Sequence, residues 1–454
     1  MSAAANEASA PGGSRSLGFW MCTALVVGNI IGVSIFQMPS SLAPYGLNAI
    51  TGWIVNVIGC VFLALSFARL SRAFPGDDGP YAYTARAFGE TTAFLIMWSY
   101  WAAVWVSNAA IAIGIVSYST VFFPALATDV GLPALTALGL LWVFVAICLC
   151  GVRAACGVQM LTTILKLVPQ LAIILLGAWL LMAHPAAYTA HIPRNPPSWG
   201  DVSAVSTLAL FSMTGIECAM IPASRVRDPG RTIPRATLAG TLITGVIYIA
   251  ISVVPIFLIP QQELAAANAP YADLFARLLG GNYAKVVAAF ILVSGLGVLN
   301  GWTLMAGEVG QSLGRHGGFA ALSRENRHGA PAVALLITGI ITTAMLLTNY
   351  ASSIAKVFTL LIVVASAATL PMYFGCALAL LVLRWRGEPA ISTRPLGRTV
   401  ALAGAALIYC VWVCFGIGGE PLWYTLLLAG AGVPFYLWSL RRRRRATLTR
   451  ELAL

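Results

Sequence analysis

The stretch Gly28-Asn29-Ile30-Ile31-Gly32-Val33-Ser34-Ile35-Phe36 decides the fold, and it lies inside the first long apolar run of the chain. Glycine weakens a helix interior by roughly 1 kcal/mol relative to alanine, so this run is a poor continuous helix. A break at membrane depth is tolerated only where it is buried in protein or lines a cavity. Broken helices near the bilayer midplane are typical of the binding sites of secondary transporters. The stretch therefore predicts a discontinuous first span.

The composition indicates a membrane protein without a separate soluble domain. Of the 454 residues, 59% are hydrophobic and 9% are charged, whereas soluble domains carry roughly 25% charged residues. The net charge of +12 could indicate a nucleic-acid partner. The arginines, however, follow the ends of apolar runs, which favours contact with the lipid bilayer and predicts no nucleic acid.

Twelve segments are long enough to span a membrane, which needs about 20 apolar residues. They cover residues 17–43, 47–74, 90–123, 132–151, 155–183, 202–224, 234–259, 283–312, 330–349, 354–384, 399–418 and 421–440. The sequence therefore predicts an all-α membrane protein with twelve transmembrane helices.

The distribution of lysine and arginine predicts the orientation, since cytoplasmic loops are rich in both. With a cytoplasmic N-terminus, the outer loops hold only Arg194, Arg277, Lys285 and Lys356. We expect both termini to be cytoplasmic, in a bacterial-type inner membrane. Residues 1–16 are predicted to be a disordered cytoplasmic tail. The basic cytoplasmic tail 441–454 would lie near anionic lipid headgroups.

Span six carries a second break, in Phe211-Ser212-Met213-Thr214-Gly215-Ile216-Glu217. Because spans one and six are five apart, residues 17–183 and 202–384 are predicted to form two inverted repeats, each opening with a discontinuous helix. Spans eleven and twelve, residues 399–440, fall outside the repeat.

The break in span one offers groups that could bind a zwitterion. The N-terminus of its second half exposes backbone N–H groups and a partial positive charge, which suit a carboxylate. The last carbonyls of its first half suit an ammonium. The alternative is a glycine-rich seam for helix packing.

Two ionisable residues lie deep in predicted spans. Glu217 is a mid-membrane carboxylate, which is by default functional, and we expect coupling or gating; the alternative is a cap on the broken helix. Lys166 lies about 15 Å past the cytoplasmic edge. It could carry a proton or replace a bound cation, or it could snorkel to that edge.

Three further side chains inside predicted spans are candidate functional residues. Trp302 could stack on a ligand, or it could simply pack. Tyr100 and Asn108 share one face of span three. Nothing resembles an enzyme, because nucleotide loops, HExxH and nucleophile elbows are missing from the sequence. The cysteines show no CxxC spacing, and we predict neither a metal nor a cofactor.

Taken together, these residues resemble the amino acid–polyamine–organocation superfamily, and within it the basic amino acid/polyamine antiporters. The resemblance covers about residues 17 to 440. Its motifs are Gly28-Asn29-Ile30-Ile31-Gly32, Pro80-Tyr81-Ala82-Tyr83, Ala87-Phe88-Gly89, Tyr100-Trp101 with Ser107-Asn108, Thr214-Gly215-Ile216-Glu217 and Gly301-Trp302-Thr303-Leu304.

The resemblance implies a leucine-transporter-type 5+5 inverted repeat that often packs as a homodimer. The implied substrate is an amino acid or polyamine, held at its carboxylate and amine by the two breaks. The implied substrate-binding residues are Ile30, Gly32, Val33, Ser34, Asn108, Phe211, Thr214 and Trp302, and the implied gating or coupling residues are Tyr100, Glu217 and Lys166.

The implied activity is exchange of a basic amino acid such as arginine for its decarboxylated amine such as agmatine. The family's small-residue triplet is here Gly32-Val33-Ser34, and Phe211 stands where a tryptophan is usual. These departures, with Lys166, favour the alternative of a proton-coupled or facilitative permease for neutral or broad-range amino acids. A sensor or a light chain is a further class, but a sensor should carry a soluble domain.

Overall fold

The computed structural model describes residues 18–75, 79–129, 131–217, 226–348, 354–392, 395–438 and 440. These residues form helices joined by short loops. The predicted tails, 1–16 and 441–454, lie outside the described residues. The helices are α1 Phe19–Ile30, α2 Val33–Leu42, α3 Asn48–Ala73, α4 Pro80–Phe88, α5 Glu90–Ser119, α6 Ala125–Thr128, α7 Leu132–Leu149, α8 Val152–Ala183, α9 Ala186–Thr189, α10 Trp199–Met213, α11 Pro229–Leu258, α12 Gln261–Ala266, α13 Pro270–Leu279, α14 Gly281–Gly317, α15 Ala320–Ser323, α16 Ala332–Thr348, α17 Ile354–Trp385, α18 Pro389–Ser392, α19 Leu396–Phe415 and α20 Gly419–Gly430.

Eight helices in the described part of the chain are long and apolar enough to cross a membrane, and the bent pair α1 and α2 raises this to nine. An all-helical membrane protein is thereby confirmed. Each of the twelve predicted spans overlaps a helix, but the number twelve stays a prediction. The eight segments are Asn48–Ala73, Glu90–Ser119, Leu132–Leu149, Leu165–Ala183, Gly230–Leu258, Gly281–Gly317, Ile354–Trp385 and Leu396–Phe415.

The first apolar run is interrupted between α1 and α2, and the chain bends by 43° from one helix to the next. The amide of Ile31 still donates to the Val27 carbonyl (2.9 Å), and Ile31 and Gly32 then take extended conformations. Any residue can adopt an extended conformation, so the backbone conformation does not require glycine at position 32. The crowding around position 32 does explain the glycine. A Cβ on Gly32 would lie 2.9 Å from a methyl group of Val298 on α14. The missing side chain therefore lets the break approach α14 closely.

The sixth predicted span is interrupted after α10. Thr214 is extended, and Gly215 has a φ of +110°, a conformation that L side chains rarely adopt. A Cβ on Gly215 would lie 3.4 Å from the backbone carbon of Asn29 and the amide nitrogen of Ile30. The two breaks therefore abut. Residues 218–225, which include the end of the predicted span, lie outside the described residues.

Helix α5 is the most enclosed long helix of the described chain. It packs along both α14 and α17, and nearly all of its apolar segment is buried. In contrast, only 33% of the apolar segment of α7 and 39% of that of α19 is buried, as expected for helices that face lipid. The central position of α5 brings its polar residues next to the breaks.

Candidate functional site

The backbone around the first break is buried and partly satisfied by neighbouring side chains. The carbonyl of Ile30 accepts a hydrogen bond from the hydroxyl of Tyr248 on α11 (2.9 Å). Gly32, Val33 and Ser34 begin α2 and are buried. One of the carbonyls expected to hold a substrate amine is thus already engaged by Tyr248, a residue that the sequence did not single out.

Glu217 is the polar centre of the second break. Its side chain is 2% exposed. One carboxylate oxygen accepts a hydrogen bond from the Tyr100 hydroxyl (2.6 Å). The other oxygen accepts from the Tyr373 hydroxyl (2.9 Å) and from the Gly215 amide (3.2 Å). The carboxylate therefore joins α5 and α17 to the interrupted backbone after α10, an arrangement that can open only by breaking charge-assisted hydrogen bonds.

Tyr373 is a member of this cluster that sequence reasoning missed. It lies in the middle of α17, two residues after Pro371, in an apolar segment without a charged residue nearby. Its hydroxyl is the one indication of function, because a buried tyrosine usually needs a hydrogen-bond partner. The sequence offered no indication that this partner is Glu217, 156 positions away.

Lys166 lies at the first break. Its side chain is 1% exposed, and its ammonium donates to the carbonyl of Gly28 (2.7 Å). This contact rules out the snorkelling alternative, because the charge points into the protein and toward the end of α1. The last carbonyls of a helix lack intrahelical partners and carry partial negative charge. Lys166 supplies both a donor and a positive charge there.

Asn108 connects α5 to α14. Its amide nitrogen donates to the carbonyls of Val104 (3.1 Å) and Trp302 (3.4 Å). Its amide oxygen accepts from the Thr303 hydroxyl (3.3 Å). Tyr100 and Asn108 were expected to share one face of span three; in the structure they bond to different elements, the second break and α14 respectively.

The remaining predicted residues surround the breaks. Val33 packs where α5 and α14 both carry glycine, since a Cβ on Gly114 would lie 3.0 Å from its Cγ1 and a Cβ on Gly295 would lie 3.2 Å from its Cβ. Phe211 is buried in the last turn of α10, and its carbonyl accepts from the Thr214 hydroxyl (2.6 Å). Trp302 is also buried, with 6% of its surface exposed.

Hydrogen bonds connect neighbouring segments on the predicted extracellular side of this region. The Tyr118 hydroxyl on α5 donates to the carbonyl of Phe36 on α2 (2.6 Å). The hydroxyls of Ser117 and Ser40 donate to the carbonyls of Asn268 (2.6 Å) and Ala267 (2.7 Å) respectively. The loop between α12 and α13 is thereby fastened to α2 and α5.

Comparison with known proteins places these features in a family of transporters. The family model described as amino acid permease matches residues 17–436. Over 340 residues the chain is 32% identical to a cadaverine/lysine antiporter of Escherichia coli (strain K12), which covers 74% of this chain and 75% of that protein. It is 29% identical to a provisionally named arginine/ornithine antiporter of Bacillus subtilis (strain 168), with 93% of this chain and 95% of that protein aligned. It is 27% identical to a putrescine transporter of Escherichia coli (strain K12), with coverages of 94% and 95%.

Proposed function

Because the chain belongs to the amino acid permease family, whose members are membrane transporters rather than enzymes, we propose that it exchanges a basic amino acid for an amine across the membrane. The proposed mode is alternating access, in which the two breaks bind the substrate between an outer and an inner gate. Arginine with agmatine is one such pair. The relatives named for cadaverine with lysine, for arginine with ornithine and for putrescine support this class of substrate.

The observation that carries the proposal is the position of Glu217 at the second break, which abuts the first break through Gly215. Its carboxylate is held by two tyrosine hydroxyls and one amide. Among the described residues, no basic side chain forms an ion pair with it. A buried carboxylate without a counter-ion attracts a cationic substrate group electrostatically. We propose that Tyr100 and Glu217 form a gate that senses the substrate's amino group.

The substrate's two charged ends have natural partners in this geometry. The amides of Gly32, Val33 and Ser34 at the start of α2 would hold the carboxylate, since a helix N-terminus binds anions without a basic side chain. Carbonyls near Ile30 and Thr214 would hold the amine. The aromatic faces of Trp302 and Phe211 would lie against the substrate side chain, and Asn108 would reach its distal polar end.

Counterflow in proteoliposomes tests the exchange. Vesicles are loaded with agmatine, cadaverine or putrescine and offered labelled arginine, lysine or ornithine at acidic and neutral pH. We expect uptake only when an amine is inside, with no uptake into empty vesicles. Absence of uptake for every pair, from protein that is folded and correctly reconstituted, would overturn the proposal.

A second candidate is a proton-coupled or facilitative permease for neutral or broad-range amino acids. The contact of Lys166 with Gly28 at the first break supports it, because a titratable cation there could exchange a proton during transport. Val33 and Phe211 support it as well, since both replace residues suited to arginine. Under this candidate, empty vesicles would accumulate neutral amino acids when a pH gradient is applied, and no internal amine would be needed.

The proposed architecture has twelve spans in the leucine-transporter arrangement. Repeat one covers residues 17–183, repeat two covers 202–384, and spans eleven and twelve cover 399–440. Both termini would lie in the cytoplasm of a bacterial cell, and two copies could form a homodimer. Reporter fusions after successive predicted loops test the orientation, and a C-terminal fusion that reports from the outside would contradict an even number of spans.

A further inference from the structure

A basic cavity lies apart from the breaks, at the end of the molecule predicted to be cytoplasmic. It has a volume of about 270 Å³ and is enclosed by α3, α11, α18 and α19. Three arginines line it, namely Arg69, Arg72 and Arg235, and none of the described residues that line it is acidic. Its volume is several times the ~30 Å³ that one water molecule occupies in the liquid. The cavity is therefore large enough for a polyatomic anion.

Two of these arginines, Arg72 and Arg235, retain hydrogen-bonding capacity after their contacts with the described residues. Arg72 donates from Nε to the carbonyl of Gly230 (2.9 Å). Arg69 donates from Nη1 to the hydroxyl of Thr399 (3.2 Å) and to the carbonyl of Arg398 (3.4 Å), and it contributes its positive charge to the cavity. Arg235 is exposed and forms no hydrogen bond or ion pair with the described residues. Since a guanidinium carries five N–H donors, the remaining donors of Arg72 and Arg235 can bind an anion that enters the cavity.

Helix ends add to the positive potential of the cavity. Helix α11 begins at Pro229 and helix α19 begins at Leu396. Both helices contribute residues of their first two turns to the cavity, including Arg235 and Thr399. The N-terminus of each helix carries a partial positive charge, so the backbone and the arginines act in the same direction.

The walls of the cavity are apolar where they meet the spanning helices. Leu65 on α3, Leu238 on α11 and Leu402 on α19 line it together with the arginines. The same three helices are long and apolar enough to cross the bilayer. A ligand of this cavity should therefore have an anionic head and an apolar body, which describes a phospholipid better than free phosphate.

We propose that this cavity binds the phosphate headgroup of an anionic phospholipid from the cytoplasmic leaflet. Arginine forks match phosphate geometry, and basic pockets between spanning helices bind anionic headgroups. The bound lipid would connect α3 and α11 to the peripheral helix α19. Helix α11 packs against both α3 and α1, the helix that ends at the first break. The bound lipid would thereby stabilise the closed arrangement of these helices.

Nanodiscs of defined composition test the proposal by thermal unfolding and by native mass spectrometry. We expect phosphatidylglycerol to raise the Tm relative to phosphatidylcholine, and to remain bound after transfer to detergent. The triple variant R69Q/R72Q/R235Q should weaken lipid retention by roughly a hundredfold, since each arginine contributes separately near the membrane surface. The matched control R315Q/R324Q/R327Q removes the same charge from another loop on the same side and should retain the lipid.

A second variant and a free anion distinguish a specific lipid site from a loss of folding and from a phosphate site. Because Arg69 and Arg72 also bond to the backbone or to Thr399, the triple variant could unfold, and Arg235→Glu then serves as the second variant. Arg235→Glu should fold normally and lose lipid retention. Equal loss in the control triple would overturn a specific site. Stabilisation by inorganic phosphate, without a difference between the two lipids, would overturn the assignment to a lipid.

Discussion

The ammonium of Lys166 lies 2.7 Å from the carbonyl oxygen of Gly28, so a side chain of α8 completes the hydrogen bonding of the broken helix α1. Gly28 belongs to the last turn of α1, where carbonyls lack intrahelical partners. The positive charge also lies at the helix end that carries partial negative charge. The shape of the first break and the position of α8 are therefore linked through one contact.

Replacement of Lys166 should affect both stability and transport. Lys166→Met keeps an unbranched side chain but leaves the Gly28 carbonyl without its donor, and an unsatisfied buried acceptor costs about 1–3 kcal/mol. We expect a lower Tm, together with loss of transport or loss of its dependence on a pH gradient. Thermal unfolding in detergent and uptake into proteoliposomes measure the two effects.

The exposed Lys285 at the start of α14 provides the control for this change. Lys285→Met removes the same charge without removing a bond at the break, and it should behave as the native protein. If Lys166→Met kept the native Tm and the native response to a pH gradient, the contact with Gly28 would have no role in either property.

Removal of the charge at Glu217 should impair transport more than it impairs folding. Glu217→Gln keeps the size of the side chain and one acceptor oxygen, but it cannot attract a cation. We expect transport to fall by more than roughly tenfold, since hydrogen bonds to a charged group contribute about 1.5–3 kcal/mol. Initial rates of uptake measure the loss, and Tm values report on folding.

Tyr373→Phe tests the part of this cluster that only the structure revealed. It removes one donor to Glu217, so we expect a smaller decrease in transport than for Glu217→Gln. Tyr271→Phe is the matched control, because Tyr271 is also buried and its hydroxyl donates to the carbonyl of Ile251 (3.0 Å) rather than to Glu217. Equal effects of the two substitutions on transport would contradict a specific role for Tyr373.

The sequence predicts those features of the site that carry a local signal. Glycine with polar residues in an apolar run indicated both breaks, and a charge at membrane depth singled out Glu217 and Lys166. Contacts between distant segments carry no such signal. Tyr373 and Tyr248 look like ordinary aromatic residues of apolar spans, and only the packing of α17 and α11 brings their hydroxyls to Glu217 and Ile30.

The fold shows the same division between local and distant information. Hydropathy marks the helices to within a few residues, as for α3 over Asn48–Ala73 against the predicted 47–74. Hydropathy does not show how closely helices approach one another. The family resemblance implied a substrate-binding role for Gly32, and in the structure its missing Cβ makes room for Val298.

A side chain at Gly32 should disturb helix packing in a way that a second substitution can relieve. The added Cβ of Gly32→Ala would lie 2.9 Å and 3.0 Å from the two methyl groups of Val298, and overpacking of this kind costs about 1–3 kcal/mol. Gly32→Ala with Val298→Ala removes both methyl groups. In the double-mutant cycle, measured by unfolding in detergent, we expect the double variant to be less destabilised than the sum of the two single variants.

Gly139 on α7 is the control for the effect of a methyl group on a helix. A Cβ there would meet nothing within 4 Å, so Gly139→Ala should leave stability unchanged or raise it slightly. Equal stabilities of Gly32→Ala and Gly139→Ala would show that the close approach of the first break to α14 is not required.

Asn108 combines a structural contact with a proposed contact to the substrate, and one substitution can separate them. Asn108→Ala removes the donor to Trp302 and the acceptor of Thr303, so we expect the free energy of unfolding to fall by about 1–3 kcal/mol. Ser107→Ala is the control, because Ser107 bonds only to the carbonyl of Ala103 within its own helix (2.7 Å). Ser107→Ala should lower the free energy of unfolding by less than Asn108→Ala does.

The response of Asn108→Ala to ligands decides whether this residue also binds substrate. A ligand at a hundred times its Kd stabilises the native state by about 2.7 kcal/mol, which raises the Tm. If Asn108 reaches the distal end of the substrate, the Tm shift caused by lysine, arginine or cadaverine should fall more than the shift caused by a neutral amino acid. Equal Tm shifts in the variant and the native protein would limit Asn108 to joining α5 and α14. Selection of the substrate's distal end would then fall to Trp302 and Phe211, whose aromatic faces discriminate by stacking rather than by hydrogen bonding.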